Sequence, residues 1–265
     1  MEKFPKYFLS IFILVICTNL QAQINCNAIE GENCKKACEL FNNDSGAQGS
    51  QQSQENFDKA IELCPSFSHA YMEKSVPYLK RGDFITWKKL IDKAVELDPA
   101  NQLGYRGWCR FQFLRDYEGA IEDFDKLEKY RPGNLGHSQN GDYNLYVAKA
   151  ICFSALNKKE QAIQLLENLF KTKDYNVGLY DYYQLGVTYF ELNKYDKALE
   201  NFEKQSKVYD FAENIYFKSK VSKIRNKDYL DLKNIALKSY DEGKTMKEAY
   251  THHFNKIYRE QIAEL

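Results

Sequence analysis

An all-α array of repeated helix pairs is the fold class this sequence predicts, on three observations. First, a phrase recurs: Phe57-Asp58-Lys59-Ala60-Ile61-Glu62-Leu63-Cys64-Pro65 returns at Ile91 to Pro99 and again at Phe124 to Pro132, so the closing prolines fall 34 and then 33 residues apart. Second, each copy spaces its apolar residues at i, i+3/i+4 and i+7, the stripe of a helix with one buried face. Third, 5 prolines and 13 glycines in 265 residues are few for a turn-rich β protein, while aromatics at 15% give ample material for a core. A fixed period of this length marks an array in which each helical unit stacks on the next.

The elements follow in order. Residues 1–22 read as a secretory signal peptide: Lys3 and Lys6 give a positive start, Tyr7 to Cys17 is an apolar run, and Ala22 suits the position before cleavage. The run is shorter than the roughly 20 residues a membrane span needs. Cys17 follows Ile16 rather than the small residue of a lipid-attachment site, so lipoprotein anchoring is not expected. A short N-terminal segment, 23–32, precedes the array, expected over 33–241. Its first pair joins Cys34–Asn42 to Ser50–Cys64 through the breaker-rich Asp44–Gly49. The later second helices follow tight turn phrases beginning at Arg81, Leu114, Leu156 and Leu192, each preceded by another amphipathic run. Pro77, inside the Tyr71–Leu79 run, is expected to kink it. Arg131 to Asp142 is an inserted loop by composition. Ile215–Ile224 and Tyr229–Tyr240 read as one more pair. Residues 242–265 are expected to supply a single C-terminal capping helix over Thr245–Ile262, with Thr245 as N-cap and Glu248 completing a capping box.

These residues resemble the tetratricopeptide-repeat (TPR) family. The pattern of large, small, aromatic, Gly, aromatic, Ala, Phe, Ala and Pro falls on Tyr71, Ser75, Tyr78, Gly82, Phe84, Trp87, Ile91, Ala94 and Pro99 in one repeat, with Trp87 in place of the usual alanine. Tyr182, Gly186, Tyr189, Asn193, Tyr195, Ala198 and Phe202 match it best. In the repeat closed by Pro132 the first helix is ambiguous by one residue. The resemblance implies a right-handed α-solenoid of about five to six antiparallel helix pairs.

Removal of the leader leaves six cysteines, four of them within residues 26–64. In an antiparallel hairpin the start of one helix lies beside the end of the next, so Cys64 is expected to pair with Cys34 or Cys38, and Cys26 with the other. Such staples suit an exported chain in an oxidising compartment. A metal or redox role is disfavoured, because no second ligand pair accompanies the CxxxC spacing. Cys109 and Cys152 read as buried thiols.

With 37 basic and 37 acidic side chains the net charge is zero, which argues against a general nucleic-acid binder. His137 beside Ser138 and Asp142 lacks a nucleophile elbow, and Glu248 with His252 makes only two metal ligands. No phosphate loop or HExxH is present. Neither an enzyme, a metal nor a cofactor is expected.

The resemblance implies a concave groove lined by the first helices of the pairs. Carried across residue by residue, its candidates are Met72 and Lys80, then Tyr105, Arg106, Arg110 and Phe113, then Asn144, and finally Tyr180, Tyr183 and Phe190. Tyrosine and arginine are favoured at binding hot spots. The Lys-Asn clamp with which some family members grip chaperone tails is absent: its positions hold Met72/Val76, Val147/Ile151 and Tyr183/Val187. The expected function is an exported scaffold or adaptor, periplasmic or secreted, that binds a protein or peptide in this groove, with no membrane span in the mature chain. The alternative is an envelope protein binding carbohydrate or a small ligand, with Tyr180, Tyr183 and the insertion as stacking platform.

Overall fold

The computed structural model describes residues 23–173 and 175–265; the expected leader, 1–22, lies outside the described residues. Six helix pairs follow one another: α1 (Glu32–Asn42) and α2 (Gln51–Leu63), α3 (Ser68–Arg81) and α4 (Phe84–Leu97), α5 (Pro99–Cys109) and α6 (Tyr117–Tyr130), α7 (Leu145–Ala155) and α8 (Lys159–Phe170), α9 (Asp181–Glu191) and α10 (Tyr195–Val208), α11 (Ala212–Ile224) and α12 (Leu230–Asp241). Each helix packs on its pair-mate and on the next pair, so the architecture is an α-solenoid. No strand occurs among the described residues.

Local chemistry explains the boundaries. Side chains of Ser50, Asp83, Asp98, Asp116 and Asn144 accept backbone N–H groups at the starts of α2, α4, α5, α6 and α7, satisfying donors a helix start leaves unpaired. The tight turns share a left-handed residue: Gly82, Arg115, Asn157, Asn193 and Asn226 all have positive φ, a conformation that glycine and asparagine adopt at least cost. α3 continues through Pro77 to Arg81 without interruption.

The one-residue ambiguity of the third repeat has a physical origin. Between α5 and its turn, Arg110–Leu114 forms a π-helical segment, which winds one extra residue into the helix. In the fifth pair a Cβ on Gly186 would lie 2.5 Å from Phe202 Cε1; in the third, a Cβ on Gly107 would lie 2.7 Å from Phe124 Cε1. The same glycine-on-phenylalanine contact is thus spanned by 16 residues in one pair and 17 in the other, and the π segment absorbs the difference.

The core divides into two clusters. A continuous one runs from Leu79 to Ile262; a small one, Ala37, Cys38, Ala60, Cys64, Phe67 and Ala70, belongs to the first pair and its junction with α3. Disulfides staple the small cluster: the structure joins Cys34 to Cys64 and Cys26 to Cys38. Closing a loop of 30 residues stabilises by roughly 3–4 kcal/mol in the chain-entropy model, which matters most where little apolar area is buried. Cys109 and Cys152 are buried free thiols.

The C-terminal expectation needs correction in its extent. Residues 245–258 are not helical; only Arg259–Ala263 forms a helix, α13. Thr251, His252, His253, Phe254 and Asn255 are weak helix formers, and Asn255 adopts positive φ. Glu248 accepts from its own neighbours' amides, Ala249 and Tyr250, rather than completing a box with Thr245. The segment buries Met246, His253 and Ile257 while its backbone carbonyls accept hydrogen bonds from α9. Because Phe202 fills the space beside Gly186, Gly186→Ala should cost about 2 kcal/mol through overpacking, read as a lower urea midpoint at unchanged m-value.

Candidate functional site

The segment from Lys244 to Lys256 is a loop whose ends meet at one carboxylate. Glu213, at the start of α11, is fully buried. It accepts from Met246 N at 3.1 Å and from Lys256 Nζ at 2.5 Å, and Lys256 also donates to Met246 O. Burial pushes the Glu213 carboxyl above its ordinary range, and Lys256 opposes that rise. From this neck the loop runs into the concave face. Thr251 donates to the Gln112 carbonyl, Arg115 donates to the His252 carbonyl, and Tyr183 Oη donates to Asn255 O at 2.6 Å. Gln184 donates to Phe254 O and its Oε1 accepts from Asn255. At the tip, Lys80 of α3 lies 4.2 Å from the centre of the Tyr250 ring.

The 131–144 insertion meets this loop. Its Tyr143 is buried, and its hydroxyl is 3.2 Å from His253 Nδ1 and 3.3 Å from Gln184 Nε2. His253 Nε2 faces the Lys247 carbonyl at 2.8 Å. A carbonyl only accepts, so Nε2 carries the proton and Nδ1 accepts from Tyr143. Burial lowers the His253 pKa. Beside it Asp142 is pushed up to about 6, by burial first and then by Glu248. Asn140 donates to both carboxylates, at 2.6 Å to Asp142 and 2.5 Å to Glu248.

Loop and insertion divide the groove. Over α9 and α11 it is filled: Tyr180 is 4% exposed and Tyr183 is fully buried, their rings packed on Phe211. They offer no face to a sugar, so the stacking platform of the carbohydrate alternative is lost. Over α3 and α5 the groove stays open as a cavity of about 350 Å³, walled by Met72, Val76, Leu79, Tyr105, Trp108 and Phe113. Glu73 and Lys80 of α3 also line it, with Asn140 and Asp142 of the insertion and Lys247, Glu248 and Tyr250 of the tail loop.

Of the sequence candidates, Met72, Lys80, Tyr105 and Phe113 come together here. Arg106 and Arg110 do not line it. Arg106 makes a two-pronged pair with buried Asp123 and a third bond to Asp92, while Arg110 bonds Asp123 and the Gly119 carbonyl. They tie α5 to α4 and α6, which is a packing role. Asn144 caps α7 and lines a separate cleft of about 510 Å³. Phe190 packs edge-on to Phe217, with Lys220 above its ring. Trp108 and the tail's share of the lining, Glu248 and Tyr250, escaped the reading of the groove, while the insertion was named only for the carbohydrate alternative. The register doubt hid Trp108; no local signal showed where the tail folds back.

Comparison with known proteins agrees with the fold. Residues 182–209 match the family model of the tetratricopeptide repeat. A stretch of 81 residues is 32% identical to an Hsp70-Hsp90 organizing protein of Triticum aestivum and 31% identical to Hsp70-Hsp90 organizing protein 3 of Arabidopsis thaliana. Those matches cover 30% of this chain and 14% of each relative's length. The solved structure of Pseudomonas aeruginosa pilF superposes with TM-score 0.59 at 14% identity, covering 80% of this chain and 91% of that one. PilW, a type IV pilus biogenesis factor, gives 0.57 at 14% identity over 79% and 92%. A tetratricopeptide repeat protein of Parabacteroides merdae gives 0.54 at 16% identity over 81% and 75%. At such identities the likeness is one of fold. The matches support tetratricopeptide-type repeats in an all-helical array.

Two outcomes test the loop. Lys256→Met leaves Glu213 buried without its cation and should cost on the order of 3 kcal/mol. Hydrogen exchange should rise first over 246–257, and Glu213→Gln in the same chain should restore part of the loss. The Asp142 carboxyl is held above its unfolded value, so its contribution is present at low pH and lost as pH rises from about 4 to about 6. Buried neutral His253 acts in the opposite sense, losing stability as pH falls below about 6.5. Asp142→Asn therefore removes only the first limb. Its urea midpoint should gain on the wild type between pH 4.5 and 6.5 and keep a constant lead above.

Proposed function

We propose that the chain is an exported TPR-type scaffold that holds an extended segment of a protein partner in the cavity over α3 and α5. The observation that carries this reading is the unequal groove: one half is filled by the chain's own tail, while the other exposes apolar and aromatic walls with a polar rim. That combination is what buries a peptide anchor and orders its backbone. Export is supported by the leader-like composition of residues 1–22 and by two disulfides of the kind that persist in oxidising compartments. Among the described residues no helix is long and apolar enough to cross a membrane.

The relatives' chaperone-organizing role is not transferred. Where the family's tail clamp requires Lys and Asn, α3 presents Met72 and Val76 to the cavity. The test is copurification from an envelope extract with three baits: wild type, Val76→Glu with Phe113→Glu, and Ile85→Glu on the far surface of α4. A protein retained by the first and third baits and lost by the second supports the reading. Equal recovery by all three places binding elsewhere and refutes it.

A further inference from the structure

The open cavity has a charge pattern that its apolar walls do not explain. Three carboxylates line it: Glu73 from α3, Asp142 from the insertion and Glu248 from the tail loop. Glu73 takes no hydrogen bond and no ion pair from any described side chain, although it is only partly exposed among Met72, Val76 and Tyr105. The nearby cation Lys80 is committed elsewhere, donating to Gln48 and to Tyr250 Oη while stacking on the Tyr250 ring. Asp142 and Glu248 share the single amide of Asn140. One neutral amide serves both carboxylates; with Lys80 and Lys247 also on the lining, three carboxylates face two cations, an excess of one negative charge.

A row of rings lines the same cavity. Tyr105 and Trp108 have centroids 6.0 Å apart, and Trp108 and Phe113 meet edge-on at 5.6 Å. Ring faces attract cations, and the attraction grows as water is excluded. Lys80 over Tyr250 shows the same pairing already made at this rim. The Trp108 indole N–H, in a side chain only 7% exposed, has no acceptor. An indole N–H is a donor only, and a peptide carbonyl is a group that would satisfy it.

We infer that the cavity reads a basic side chain, Lys or Arg, carried by an otherwise apolar segment of the partner. The inference rests on the peptide-binding reading above and adds its chemistry. The long stem of Lys or Arg lies along Met72, Val76 and the ring row, and the charged head reaches Glu73 or the Asp142–Glu248 pair. An acidic side chain meets a lining with one more carboxylate than cations and is disfavoured, and a neutral one leaves Glu73 desolvated and unpaired.

The experiment is selection of random heptapeptides, displayed on phage, against the wild-type protein, keeping binders that Val76→Glu with Phe113→Glu no longer retains. The expected result is enrichment of Lys or Arg at one position flanked by apolar ones. The strongest binder is then synthesised with that residue and with norleucine in its place, and both are titrated by tryptophan fluorescence. On wild type the norleucine peptide should bind about tenfold more weakly, as for loss of a desolvated charge pair. On Glu73→Gln, and separately on Glu248→Gln, that ratio should shrink to within about threefold for whichever carboxylate holds the head. Cavity-dependent binders without a basic position, or equal affinity of the two peptides, overturn the inference and leave the peptide reading standing. No cavity-dependent binder at all overturns the peptide reading, and the inference with it.

Discussion

The shape of the face that carries the cavity depends on one buried carboxylate. Glu213 lies at the beginning of α11 with no exposure, and it is compensated by Lys256 Nζ and the Met246 amide, both from the far end of the chain. Desolvating that carboxylate is costly, and a buried pair often gives little net stability relative to apolar residues of the same shape. What the pair does give is position. Either partner alone is strongly disfavoured, so the tail has one place to return to. Every later contact of the loop with α3, α5 and α9 follows from where that neck is fixed.

The second constraint is the close approach of helices within each pair. Gly186 and Gly107 let a phenylalanine ring from the partner helix press against the backbone, which sets the spacing of the fifth and third pairs alike. In the third pair the chain has one residue more between glycine and phenylalanine, and the π segment at Arg110–Leu114 takes it up. The π segment begins where α5 ends, so Tyr105 and Trp108 precede it and Phe113 lies within it. Arg106 and Arg110 turn to Asp123, and Tyr105, Trp108 and Phe113 form the row that faces the cavity.

This division explains what was legible in the sequence. Helix pairs depend on contacts about 16 residues apart and on turns within four, so the period, the helix pairs and the tight turns between them could be read from the letters. The proximity of Cys64 to Cys34 and Cys38 followed from the same hairpin geometry. The tail depends on contacts such as Tyr183 with Asn255 and Asn140 with Glu248, separated by 72 and 108 residues. Helical periodicity in 245–262 was present, but Thr251 to Asn255 carry little intrinsic helicity, and tertiary bonds outweighed the pattern. The resemblance placed Tyr180 and Tyr183 on an open groove, whereas the structure buries both under the tail. Their burial is a consequence of the tail, which no motif within α9 encodes.

The loop that closes half the groove is held unevenly along its length. Its neck uses a buried ion pair, and its middle uses Tyr183, Gln184 and the His253–Tyr143 contact, all shielded from water. Its tip uses Lys80 on Tyr250, a residue 61% exposed, and Glu248 on Asn140. Exposed cation–π and surface polar contacts contribute about 1 kcal/mol or less each, whereas removing one member of the buried pair costs several times that. Local opening therefore has a direction: the tip frees itself long before the neck. Since the tip is one wall of the cavity, the open half of the groove has a fixed floor from α3 and α5 and an adjustable side from residues 247–250. A segment entering there needs to displace only the weak contacts, and the buried clasp at Glu213 keeps the filled half closed while it does so.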